Sequence, residues 1–163
     1  MEENFFTKEF ILESDVMNHY GKWWNTTITL YNRFENIDGK IKWYSHVIEG
    51  CFYSQQRNKV IVDSTVIEAN SSLCRIRISG NFMAKDEWNN LPEADKQYMF
   101  TLCPGDIIVG SEVEFEIDEY AKGSRSSDMM KKYREWPGCF IVDSVGINAG
   151  GGRGNEHYAA RGT

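Results

Sequence analysis

Apolar and polar residues alternate along most of the middle of this chain, and the alternation predicts β-strands. Residues 26–32, Thr-Thr-Ile-Thr-Leu-Tyr-Asn, are β-branched and aromatic, with Ile28 and Leu30 on one face. Asn36-Ile37-Asp38-Gly39 predicts a turn, Asp-Gly being a strong local signal. Residues 41–53 resume as a strand, interrupted at Glu49-Gly50, where a glycine inside a strand predicts a bulge. Residues 59–63 and 73–79 predict further strands, the second with Cys74, Ile76 and Ile78 facing inward and Arg75 and Arg77 on the other face. Cys103-Pro104-Gly105-Asp106 sets a turn ahead of Ile107-Ile108-Val109. Residues 112–119 alternate without a break and predict another strand. Residues 126–133 predict a short helix, with Ser127 or Asp128 available to cap it. Trp136-Pro137-Gly138 ends that helix, and residues 139–145 predict the last strand.

Roughly six to eight short strands separated by turn signals predict a mainly β fold, a small β-barrel or sandwich with one short inserted helix. Residues 80–100 break the rhythm and predict a long loop with a helical turn, a length that usually marks function or partner binding. Residues 4–17 carry Phe5, Phe6, Phe10, Ile11, Leu12, Val16 and Met17, a spacing that suits a short amphipathic helix or an extended arm, either docking outside the barrel or capping its own core. The last eighteen residues, GINAGGGRGNEHYAARGT, are rich in glycine and lack an apolar run. Glycine loses the most backbone freedom on ordering, so such a tail is expected to need a contact outside the domain to hold it, with packing on its own domain or a crystal contact as the alternative. The division expected is an N-terminal arm or helix over 1–23, a β-barrel domain over 24–147, and a Gly-rich C-terminal arm over 148–163.

Composition narrows the function. At 163 residues, 41% of them hydrophobic, the chain suits one domain with a real core. The aromatic share of 13%, with five Trp and eight Tyr, leans toward contact-making surfaces. A formal net charge of −6 argues against gripping nucleic acid or anionic membranes. Cys51, Cys74, Cys103 and Cys139 are far apart in apolar stretches, which predicts buried free thiols rather than a zinc site. No run approaches the roughly 20 apolar residues of a membrane span, and the acidic start MEENFFTKEF lacks the features of a signal peptide.

The candidate chemistry is sparse. Glu112, Glu114, Glu116 and Asp118 share one face of the alternating 112–119 run, while Val113, Phe115 and Ile117 take the other. This predicts an acidic channel or interface face, with an ordinary solvated face, or neutralisation by Arg75 and Arg77, as the alternatives. His19, His46 and His157 fall in no metal-ligand spacing, and no nucleophile elbow is present, so no catalytic residue, metal or cofactor is expected. Gly150-Gly151-Gly152-Arg153-Gly154 lacks the ending of a phosphate loop. Arg153, His157, Tyr158 and Arg161 are the groups expected to anchor the tail to a neighbouring subunit.

Several stretches in order carry a resemblance: residues 27–33 (TITLYNR), Lys42-Trp43-Tyr44, Val47-Ile48-Glu49-Gly50, Leu102 with residues 104–110 (PGDIIVG), and the Gly-rich end with His157. From Trp24 to the C-terminus the chain resembles a family of tailed-phage structural proteins known only as a domain of unknown function, and its shape is similar to head-closure (stopper) subunits. The resemblance implies a non-enzymatic virion protein of the bacteriophage neck, made in the host cytoplasm. It implies a homo-oligomeric ring of six or twelve copies joining portal and adaptor proteins to the tail, with DNA passing nearby without specific binding and no membrane partner. It also implies that the 80–100 loop, with Trp88, and the tail carry the subunit contacts. A tail terminator or capsid-associated minor protein is the alternative, with a small β-barrel binding module or enzyme behind it.

Overall fold

The computed structural model describes residues 23–150 and 156–163, with Ala69 described by its backbone alone. The fold is mainly β. Among the described residues six strands form it: β1 (Thr26–Glu35), β2 (Ile41–Val62), β3 (Thr65–Arg77), β4 (Ile107–Val109), β5 (Cys139–Asn148) and β6 (His157–Gly162). Every pairing is antiparallel, in the order β1-β2-β3-β6-β5-β4, and the three residues of β4 bring the ladder back to β1. Three short helices interrupt it among the described residues: α1 (Lys85–Asn89), α2 (Glu93–Lys96) and α3 (Ser126–Lys132).

Local chemistry sets the turns. The Asn36 side chain accepts the backbone N–H groups of Asp38 and Lys40 at 3.0 and 2.8 Å, and Gly39 takes a positive φ of 74°, so β1 turns tightly into β2. Gly50, at φ 65°, lies at the register shift between Thr26↔Cys51 and Ile28↔Ile48. The bulge predicted there moves the inward set of β2 from even to odd positions. Gly105, at φ 94°, makes the turn ahead of β4.

Ile28, Leu30, Cys51, Cys74, Ile76, Ile108, Phe140, Val142 and Ala160 fill the interior with Phe100 and Leu102. A second core lies on the outer side of β1 and β4. There Tyr31, Ile107, Val109, Met129 and Cys139 are covered by Val113, Phe115, Ile117, Met130 and Tyr133.

That second core corrects one expectation. Residues 112–118 are extended but join no ladder. Both edges of β1 are already taken, by β2 and β4, so the segment crosses its outer face and is held through side chains. Thr29 Oγ1 donates to Ser111 O at 2.9 Å and accepts Val113 N–H at 3.0 Å, and Tyr31 OH donates to Phe115 O at 2.5 Å. Burial raises the Tyr31 phenol pKa, which keeps that donor protonated. The predicted two faces persist: Val113, Phe115 and Ile117 pack inward and the carboxylates point out.

The end of the chain brings a second correction. His157–Gly162, expected within a reaching arm, form β6 between β3 and β5 of the same domain. Their order comes from two ladders of backbone hydrogen bonds, not from an outside partner. Gly162 is required by close approach, since a Cβ there would collide with the Ile141 carbonyl oxygen and the Phe140 ring.

Residues 80–100 fold back over one end of the barrel. Met83 N–H bonds Phe100 O at 2.9 Å, and Phe100 N–H bonds Asn81 O at 2.9 Å. Trp88 is fully buried, donates to Met99 O at 2.7 Å, and meets the Tyr44 and Phe34 rings edge-on at 5.6 and 6.0 Å. Lys96, also buried, donates to the carbonyls of Asn89 and Leu91 and lies 4.6 Å from the Phe34 ring centre. Its aliphatic stem takes part in the plug while its charge is spent on carbonyls and ring faces.

Candidate subunit interface

β2 and β3 outrun their neighbours. β6 leaves β3 at Ser72↔Gly162, and β1 leaves β2 at Thr26↔Cys51, yet β2 and β3 stay paired out to Val62↔Thr65. A two-stranded finger therefore projects about 23 Å beyond Ser72, taking roughly 3.3 Å per residue. Its tip turns through Asp63 and Ser64, both at positive φ (47° and 68°), a geometry that suits a two-residue hairpin.

The finger tip is apolar and exposed. Val60, Ile61, Val62, Val66 and Ile67 keep relative exposures of 45, 72, 47, 58 and 48%. Fully burying such a side chain contributes about 1.5–3 kcal/mol, and about half of that is left unrealised at each position. Register divides the tip. Val60, Val62 and Ile67 continue the outer face of the barrel, whereas Ile61 and Val66, paired across the strands, continue its inner face.

The base of the finger is anchored by charge. Arg57 Nη2 donates to Arg134 O at 2.5 Å and Glu135 O at 2.6 Å, tying β2 to the chain after α3. A cleft of about 680 Å³ opens beside it, lined among others by Arg57, Lys59, Glu68, Lys131, Arg134 and Glu135. Four cations face two carboxylates there, which gives the cleft a positive balance.

The acidic face lies elsewhere. Glu112, Glu114, Glu116 and Asp118 are all exposed, spaced about 6.6 Å apart along the extended segment. Ion pairs among the described residues join Arg33–Glu35, Lys42–Glu93 and Arg125–Asp128, and none involves these four. Arg75 stands over the Phe52 ring at 5.2 Å and Arg77 over Trp24 at 4.9 Å. On β3, Cys74 and Ile76 face inward as expected, but Ile78 lies beyond the strand and is exposed.

The expected contact residues scatter. Trp88 is sealed inside the plug and is not available to a neighbour. His157 is buried with its ring edge-on to Trp24 at 5.5 Å, and Tyr158 stacks on Phe82 at 4.0 Å. Arg161 alone of the described tail candidates is exposed, and Arg153 and residues 1–22 lie outside the described residues. His46 points into the barrel beside Phe100, where burial pushes its pKa down to about 4. No cluster of three or more metal-ligating side chains occurs among the described residues, and no described helix is long and apolar enough to cross a membrane. The sequence did carry a signal for the finger. Val60-Ile61-Val62 and Val66-Ile67 flank Asp63-Ser64-Thr65, and neither aliphatic run is broken by the polar residue that a strand with one solvated face would show.

Residues 23–163 match a family of unknown function, DUF6751, and the chain belongs to that family. No curated protein and no solved structure matches the chain.

Proposed function

We propose that this chain is a non-enzymatic structural subunit of a homo-oligomeric ring in the tailed-phage neck, of the head-closure type. The observation that carries the assembly part is the finger: a projecting hairpin whose aliphatic tip has no cover among the described residues is a surface suited to another chain. In the ring, Ile61 and Val66 at the tip pack on the adjacent subunit. The neck setting rests on the sequence resemblance.

The acidic segment suits the same role. In a ring, Glu112, Glu114, Glu116 and Asp118 repeat around a circle. A wall of that kind repels the DNA backbone within roughly a Debye length of 8 Å and lets it pass without sticking. A tail terminator or capsid-associated minor protein would use the finger in the same way and differs only in its neighbours.

The experiment is sedimentation velocity or native mass measurement of the purified chain at high concentration, with imaging of particles that contain it. A closed ring that the double substitution Ile61→Lys, Val66→Lys reduces to monomer supports the reading. A chain that stays monomeric at high concentration and is absent from particles overturns it.

A further inference from the structure

Trp23, the first described residue, is 65% exposed and lies with its ring 6.5 Å from that of Phe52, at the Phe52↔Arg75 pair. The chain therefore enters the fold on the face from which the finger's outer side extends. Asn58, Val60, Val62, Thr65 and Ile67 follow along that face, none of them charged.

We propose that residues 4–17 of the chain lie along this outer face and cover Val60, Val62 and Ile67. Reach and chemistry agree. From Phe52 the aliphatics lie about 26 Å (Val60) to 33 Å (Val62) out, at roughly 3.3 Å per residue. Residues 18–22 span up to about 18 Å when extended. Fourteen further residues add about 21 Å as a helix. Residues 4–17 then cover about 18 to 39 Å from Trp23, which brackets the aliphatics. Phe5, Phe6, Phe10, Ile11, Leu12, Val16 and Met17 supply the apolar surface to match.

The tether decides between the chain's own segment and that of a second copy. A linker of five residues holds the segment at an effective concentration on the order of millimolar, far above that of a free second copy at micromolar protein. Cover in cis leaves Ile61 and Val66, on the other face, for a neighbouring subunit. The inference therefore stands whether or not the ring reading does.

The test places the photoreactive residue benzoylphenylalanine at position 10 of the full chain. After irradiation, the products are separated on a denaturing gel and the joined peptides sequenced. The expected product keeps the mass of one chain and joins position 10 to the peptide containing residues 58–69. The further substitution Val60→Asp, Ile67→Asp should lower its yield at least fivefold, while Ile61→Lys, Val66→Lys, which tests the ring, leaves it unchanged. A two-chain product, a one-chain product joined elsewhere, no product, or a yield indifferent to Val60→Asp, Ile67→Asp overturns the proposal.

Discussion

Asn32, on β1, donates from its side-chain amide to Asp106 Oδ2 at 2.9 Å, across 74 positions of sequence and inside the barrel. The same amide donates to Thr101 O at 2.8 Å, and its oxygen accepts Thr101 N–H at 3.2 Å. Asp106 also accepts the backbone N–H groups of Arg33 and Cys103 at 2.9 and 2.8 Å. Three donors thus converge on one buried carboxylate, which joins β1, the end of the plug and the turn before β4.

Asp106→Asn tests that junction. Burial raises the Asp106 pKa while the three donors pull it down, burial being the larger effect. An asparagine would be neutral, but it offers a single acceptor oxygen and turns its own N–H groups toward donors. A stability loss of about 1–3 kcal/mol is expected, read by urea unfolding. An unchanged midpoint would show that the carboxylate is dispensable.

His46 predicts a pH dependence. Its folded pKa is lowered by burial from the ordinary 6.5 to about 4, so the unfolded chain binds the extra proton between those values. Stability is therefore full above pH 6.5 and falls as pH drops toward 4, by about 3 kcal/mol at most, taking about 1.36 kcal/mol per unit. His46→Leu removes this slope. Asp106 acts in the opposite sense, since its raised pKa favours the folded state as pH falls toward 3.8, whereas Glu93, its pKa lowered by the hydrogen bond from Lys42, adds to the loss in acid. Unfolding midpoints from pH 4 to 8 in both proteins check the sign.

Gly162→Ala should disrupt the seam between β5 and β6. The added methyl would occupy the position of the Ile141 carbonyl oxygen, and the neighbour is backbone, which cannot swing aside. The expected outcome is loss of protection of the β5 and β6 amides in hydrogen exchange, with a fall in thermal midpoint. Gly39→Ala serves as a comparison: it strains φ alone, since a Cβ there meets open space.

Trp88→Ala should cost about 3–5 kcal/mol, because it empties the centre of the plug and leaves Lys96 without one of its two ring faces. Phe34 and Tyr44 lose an edge-on partner as well. Thermal unfolding measures the loss. Subunit assembly should change only as far as stability does, since Trp88 is not at a surface.

The finger should behave in the opposite manner. Ile61→Lys with Val66→Lys removes aliphatics that pack on no described core residue, so monomer stability should stay within about 0.5 kcal/mol. Association measured by sedimentation should be lost. A destabilised monomer with intact association would reverse the roles assigned to plug and finger.

Features that depend on near neighbours along the chain are legible in the order of residues. Side chains in extended backbone alternate faces, so Ile28, Leu30, Cys74 and Ile76 were legible as core, and Val113, Phe115 and Ile117 as the covered side of an acidic run. The turns at Asn36–Gly39 and Cys103–Asp106 and the bulge at Gly50 follow from the φ preferences and hydrogen-bonding reach of those residues. Which edges and ends are already occupied is settled only when distant segments pack together. Residues 112–118 have strand periodicity but no ladder, because β2 and β4 hold both edges of β1. His157–Gly162 look like a loose tail, because backbone ladders to β3 and β5 leave no mark in an Ala- and Gly-rich string. Trp88 became plug rather than contact because residues 80–100 turn back onto the barrel end. The aliphatic runs at residues 60–62 and 66–67 mark the finger's strands, but their exposure follows from β2 and β3 being longer than the strands beside them, a mismatch between distant segments.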